Sequence, residues 1–103
     1  MADPTRIRAN VTGETTEVRV LMAHEMESGQ RKDEQGKVIA AWFIRNVTVT
    51  WNGKTVLAAQ WGPAVSKNPF LSFKFKGGAK GDKIVVTWVD NRGERRTDEA
   101  AIA

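Results

Sequence analysis

Apolar and polar residues alternate with a period of two along most of the chain, the spacing of half-buried β-strands and not of amphipathic helices. Arg6-Ile7-Arg8-Ala9-Asn10-Val11 alternates in this way until Thr12-Gly13-Glu14-Thr15 interrupts it. The pattern resumes from Thr16 to Ala23, with Val18 and Val20 on one face and Glu17 and Arg19 on the other. From His24 to Lys37 it gives way to polar residues punctuated by Gly29 and Gly36. A loop of that length is uncommon in a compact domain and is usually functional or mobile.

Asn52-Gly53 is the strongest local signal. Between two β-branched, aromatic-rich runs it specifies a type I′ hairpin, because both central residues must take φ > 0. Continued without interruption, that turn sets Trp51 opposite Lys54, Val49 opposite Val56 and Val47 opposite Ala58. Opposed residues share a face, so this register groups Val47, Val49, Trp51, Val56 and Ala58 as core. The other face begins with threonines and ends in Ile44, Leu57, Ala59 and Trp61, an apolar cluster expected to contact a partner.

Pro63 and Pro69 exclude a central strand between them. Phe70 to Lys76 alternates again, with Leu71, Phe73 and Phe75 predicted inward and Ser72, Lys74 and Lys76 outward. Lys83 to Val89 is apolar on both faces and reads as a central strand. Asp90-Asn91-Arg92-Gly93 is a turn with glycine in the left-handed position. A short strand from Glu94 to Thr97 follows, and the tail from Asp98 is either strand or frayed end. The sum is an all-β chain of about seven short antiparallel strands, which predicts an immunoglobulin-like β-sandwich without the Cys–Trp–Cys core or a tyrosine corner.

The 103 residues make one domain, 1–103, of expected radius about 13 Å. There is no cysteine, which excludes disulfides, thiolate nucleophiles and cysteine-ligated metals. No apolar run approaches the roughly 20 residues of a membrane span. The chain carries a net charge of +4, and its positive excess along the sequence falls in residues 54–83, where Lys54, Lys67, Lys74, Lys76, Lys80 and Lys83 face only Asp82. Such a run forms either a basic face for an acidic partner or a solvated strand edge on which lysine discourages pairing. It contains no arginine and no aromatics interleaved as in an RNA-binding sheet, so nucleic acid is not expected.

Catalytic chemistry has little to work with. His24 is the only histidine, and Ser28, Ser66 and Ser72 stand in no Gly-x-Ser-x-Gly elbow. Glu25, Glu27, Asp33 and Glu34 have neither calcium-loop nor zinc-site spacing. Gly77-Gly78-Ala79-Lys80-Gly81-Asp82 lacks the ending of a phosphate loop and precedes a strand. No catalytic residue, metal or cofactor is expected.

The segment from His24 to Ile39 resembles the pattern His-Pro-Met-Glu-Thr-Gly-x-Arg-x-Asp-x-x-Gly-x-x-Ile-Pro of the SoxZ family, subunits of the bacterial sulfur-oxidation (Sox) carrier protein. His24, Met26, Glu27, Gly29, Arg31, Asp33 and Gly36 carry the match, while Glu25 and Ala40 stand where that pattern has proline. The hairpin Val49-Thr50-Trp51-Asn52-Gly53-Lys54 and the run Pro63 to Phe70 agree in order and spacing, extending the likeness over residues 5–98. The resemblance implies an immunoglobulin-like, non-catalytic subunit paired with a SoxY-like subunit. That partner carries thiosulfate-derived sulfur on the cysteine of a flexible C-terminal arm, and Sox enzymes dock on the pair transiently. It also implies a periplasmic location. Since Met1 to Thr5 begin no signal sequence, export is expected to depend on a signal-bearing partner. The alternative is a free-standing immunoglobulin-like binding module; neither reading involves nucleic acid or membrane.

Overall fold

The computed structural model describes residues 3–103, which form seven strands and no helix. These are β1 (Arg6–Thr12), β2 (Thr15–Leu21), β3 (Ile44–Trp51), β4 (Lys54–Gln60), β5 (Phe70–Lys76), β6 (Lys83–Asp90) and β7 (Arg95–Ala101). They pair antiparallel in a three-stranded sheet, β1-β2-β5, and a four-stranded sheet, β4-β3-β6-β7. That order is the A-B-E and C′-C-F-G arrangement of an immunoglobulin-like sandwich. The tail left open between strand and fray continues β7 to Ala101.

The core is the set of inward positions on the central strands. Val18 and Val20 of β2 meet Val47 and Val49 of β3 and Ile84, Val86 and Trp88 of β6, all closed to solvent. Their two-residue spacing places them on one face of each strand, and their burial supplies the main driving force of the fold. The predicted inward set on β5, Leu71, Phe73 and Phe75, packs against this core.

The two long sides of the sandwich differ. Along β1 and β7 the chain end closes the seam: Val11 N–H donates to the Ala103 carbonyl and Ala103 N–H to the Ala9 carbonyl. Along β4 and β5 the inward residues Leu57, Ala59, Leu71, Phe73 and Phe75 are only half-buried. This side of the sandwich is open.

The expected β3–β4 register holds only next to the turn. Trp51 faces Lys54 and Thr50 faces Thr55, but Val49 faces Leu57 and Val47 faces Ala59. A β-bulge at Val56 absorbs one residue, so two residues of β4 oppose Val49. A one-residue slip exchanges the faces of a strand. Leu57 and Ala59 therefore turn toward the core, and Ile44 is completely buried. The separate outward cluster of Ile44, Leu57, Ala59 and Trp61 does not exist as such.

The molecule is also longer than a globule of its length, 54 × 19 × 19 Å with a radius of gyration of 15.4 Å. Strands of seven or eight residues span only about 26 Å. The remaining length comes from residues 22–43, between β2 and β3.

Candidate functional site

Residues 26–42 do not form a shapeless loop. Glu27 and Trp42 exchange two backbone hydrogen bonds, Ile39 N–H donates to the Arg31 carbonyl, and Asp33 N–H donates to the Lys37 carbonyl. The segment is a narrow two-stranded arm reaching away from the sandwich. Its tip is a three-residue loop with Gly36 at φ 80°, and Asp33 Oδ1 accepts the N–H groups of Gln35 and Lys37. Farther down, Gly29 sits at φ 88°, and a Cβ there would stand 3.2 Å from the Ala41 Cβ. The two arm strands approach closely because that position lacks a side chain.

A buried polar cluster fixes the base of the arm. Asp90, at the end of β6, accepts four hydrogen bonds: from Trp42 Nε1 at 2.7 Å, from His24 Nε2 at 3.1 Å, and from the backbone N–H groups of Arg92 and Glu94 at 2.9 Å each. His24 Nδ1 accepts the Met26 N–H at 3.0 Å, which assigns the imidazole proton to Nε2, toward the carboxylate. Burial works to raise the Asp90 carboxyl, but the donors from Trp42, His24, Glu94 and Arg92 outweigh it and hold the group below the usual carboxylate range. The His24 ring lies between Trp42 and Trp88, with centroids 4.8 and 5.2 Å away, and the Arg92 guanidinium stacks 4.2 Å over Trp42.

Two asparagines in separate loops clamp the base. From the β6–β7 turn, the Asn91 side chain accepts the Phe43 N–H and donates to the Ala41 carbonyl. From the segment after β4, Asn68 accepts the His24 N–H on its side chain and donates its own N–H to the His24 carbonyl. Asn68 holds φ 51°, a conformation asparagine tolerates better than most residues. Met26, also at positive φ, accepts the Ile44 N–H on its sulfur at 3.3 Å. Lys67 and Glu25 pair at 3.0 Å on the outside of the base.

The arm gathers all seven motif residues at three levels. His24 and Met26 are buried at the base. Glu27 and Gly29 lie above them, where Glu27 is bonded through both oxygens to Arg31, and that guanidinium lowers its carboxyl. Arg31, Asp33 and Gly36 are exposed toward the tip. The cluster of Ile44, Leu57, Ala59 and Trp61 divides differently. Ile44 lies under Met26, whereas Leu57, Ala59 and Trp61 line the open β4 side.

Sequence reasoning missed Asp90, Trp42 and Asn91 as parts of this site. Asp90 and Asn91 read only as turn residues, although Asp90-x-x-Gly93 and Asp33-x-x-Gly36 are the same turn, each with its aspartate capping two N–H groups. Beside the base runs an open groove of about 840 Å³ lined by Met22, His24, Trp42, Lys67 and Trp88 among others. Among the described residues no group of three His, Asp or Glu side chains could hold a metal ion.

Chemically, the site is a rigid mount for a protruding arm. Its histidine and aspartate are bonded to each other and shut from solvent, an arrangement that holds the backbone and offers no open nucleophile–base pair. No curated protein matches the chain. The family model for sulphur oxidation protein SoxZ matches residues 5–101, which takes in the arm, both clamps and all seven strands. With that match over nearly all of its 103 residues, the chain belongs to the SoxZ family and has a role in sulfur oxidation.

Proposed function

We propose that this chain is the non-catalytic subunit of a sulfur-carrier heterodimer in bacterial thiosulfate oxidation. Its partner is a SoxY-like subunit whose cysteine, on a flexible C-terminal arm, holds the sulfur intermediates covalently while Sox enzymes act on them. The observation that carries this reading is the family match across the arm and its mount. The absence of cysteine supports it, because a second accessible thiol could exchange with the carried sulfur. The pair works in the periplasm, reached by export together with the signal-bearing partner.

The open side of the sandwich supports a place for that partner. Strand β4 is a sheet edge whose residues Thr55 to Gln60 carry no charge and no proline, the devices that usually blunt an edge. On it Leu57 and Ala59, and just beyond it Trp61, stay half-buried in the single chain. A partner covering this edge completes the burial of these side chains, with Ile44 supporting them from beneath. In this arrangement the arm and its mount remain available for the enzymes that visit the partner's cysteine.

The test is size-exclusion chromatography with light scattering on this chain co-expressed with a small cysteine-armed carrier subunit. A one-to-one complex is expected. A chain that elutes as a monomer and ignores that subunit would overturn the carrier reading in favour of a free-standing binding module.

A further inference from the structure

The strand register assembles a charged surface that is not apparent along the chain. On the outer face of β1-β2-β5 the paired residues form four rows: Arg6-Leu21-Phe70, Arg8-Arg19-Ser72, Asn10-Glu17-Lys74 and Thr12-Thr15-Lys76. These rows cover about 20 by 10 Å between Cα positions. Five cations and one carboxylate give this face +4, the net charge of the whole protein, so the rest of the molecule sums to zero. The arginines of the first two strands look neutralised in sequence by Asp3 and Glu14, but neither acid lies in these rows.

Two features distinguish this face from an ordinary solvated edge. Arg8 and Arg19 stand directly opposite each other, a like-charge pair that costs stability within the sheet. Glu17 is taken by Arg19 at 3.2 Å, and among the described residues Arg6, Arg8, Lys74 and Lys76 have no ion-pair partner. Beside them, in one row, lie two of the three large apolar side chains exposed among the described residues: Phe70 at 63% and Leu21 at 39%. An apolar pair bordered by arginine is the composition of a protein contact centre, where aromatics and arginine are enriched. Stacking platforms for nucleic acid instead combine several aromatics with a basic groove that tracks the backbone.

We infer that the outer face of β1-β2-β5 docks an acidic protein surface, one that presents carboxylates around an apolar side chain. The carboxylates meet Arg6, Arg8, Arg19, Lys74 and Lys76, relieving the opposed arginines, and the apolar group covers Phe70 and Leu21. The contact is small and charge-led, hence fast and salt-sensitive. It goes beyond the carrier reading and does not depend on it, since it uses neither the β4 edge nor the arm.

The test is an NMR titration of the isotope-labelled chain with a ten-residue peptide of Asp and Glu around a central Phe-Leu pair. Three comparison probes are the same peptide with Gly-Gly at its centre, an oligothymidylate of equal charge, and anionic lipid vesicles. Shifts are expected at Arg8, Arg19, Leu21, Phe70 and Lys74, at least tenfold weaker binding for R8Q/R19Q and for F70S, and less than a twofold change for K80Q/R95Q. Thermal unfolding of each variant establishes that it is folded, and these outward positions are expected to keep the fold. No binding, shifts that map elsewhere, or equal binding by the Gly-Gly peptide, the oligonucleotide or the vesicles would overturn the proposal. Its failure would leave the pairing with a cysteine-armed subunit untouched, and failure of that pairing would leave this result standing.

Discussion

The imidazole of His24 and the carboxylate of Asp90 meet at 3.1 Å across 66 residues of sequence, with both side chains shut from solvent. One ends β6 and the other opens the arm, so this contact ties the projecting element to the core of the four-stranded sheet. Trp42 completes it from the returning strand of the arm by donating to the same oxygen. The arm projects as a fixed element because both of its strands are bonded to one buried carboxylate.

Substitution at Asp90 should therefore cost more than loss of any one of its donors. In Asp90→Asn one oxygen becomes an NH₂ group facing donors, which removes the charge and leaves hydrogen-bond donors unpaired. Destabilisation of about 3 kcal/mol is expected, against about 1–2 kcal/mol for Trp42→Phe, which removes a single donor. Urea unfolding of the two variants measures both, and a smaller loss for Asp90→Asn than for Trp42→Phe would contradict the assigned roles.

The acid limb of stability follows from the same group. The carboxyls of Asp90 and Asp98 both lie below their ordinary values. At Asp90 burial is outweighed by its four donors; at Asp98 the bond from Arg96 and the Thr5 N–H outweigh burial. A carboxyl with a depressed folded pKa contributes stability that is fully present above its unfolded pKa of about 4 and is lost as pH falls through the folded value. Stability should thus be flat on this account above about pH 5 and decline below about pH 4. Chemical denaturation from pH 2 to 7 should show a shallower decline for Asp90→Asn than for the natural chain.

Gly29→Ala should loosen the arm without unfolding the sandwich. The substitution places a side chain at φ 88° and 3.2 Å from the Ala41 Cβ, farther along the arm than Met26, which packs in the core. The backbone strain alone costs about 1–2 kcal/mol. Amide hydrogen exchange at Glu27 and Trp42, which pair across the arm, should speed up at least fivefold, while Val18 and Val86 keep their protection. Equal acceleration at all four sites would mean that the arm and the core open together.

Leu57→Lys and Trp61→Ala test the proposed partner edge. Each should weaken the heterodimer at least tenfold, because half-buried apolar and aromatic groups dominate contacts of this kind. Surface-immobilised binding to the cysteine-armed subunit provides the measurement, with Lys80→Gln as the variant expected to leave affinity unchanged.

Strand positions and sheet number were legible because alternation is a local signal. Val18 and Val20, or Leu71, Phe73 and Phe75, declare their face by spacing alone. The β3–β4 register was not legible past Thr55, since Thr55, Val56 and Leu57 all suit a strand and none marks the bulge. That single residue reversed the faces assigned to Leu57 and Ala59. The arm was recognisable as a motif, but its mount was not: Asp90, Asn91 and Trp42 lie far from His24 in sequence, and only the folded sheets join them. The basic face was hidden for the same reason, since its charges come from β1, β2 and β5.

The most direct test of the carrier account is hydrogen–deuterium exchange of this chain alone and mixed with a cysteine-armed SoxY-like subunit. The account predicts new protection along β4 from Thr55 to Trp61, with the arm tip around Asp33 to Gly36 still exchanging freely. Absence of protection anywhere on the chain would contradict it.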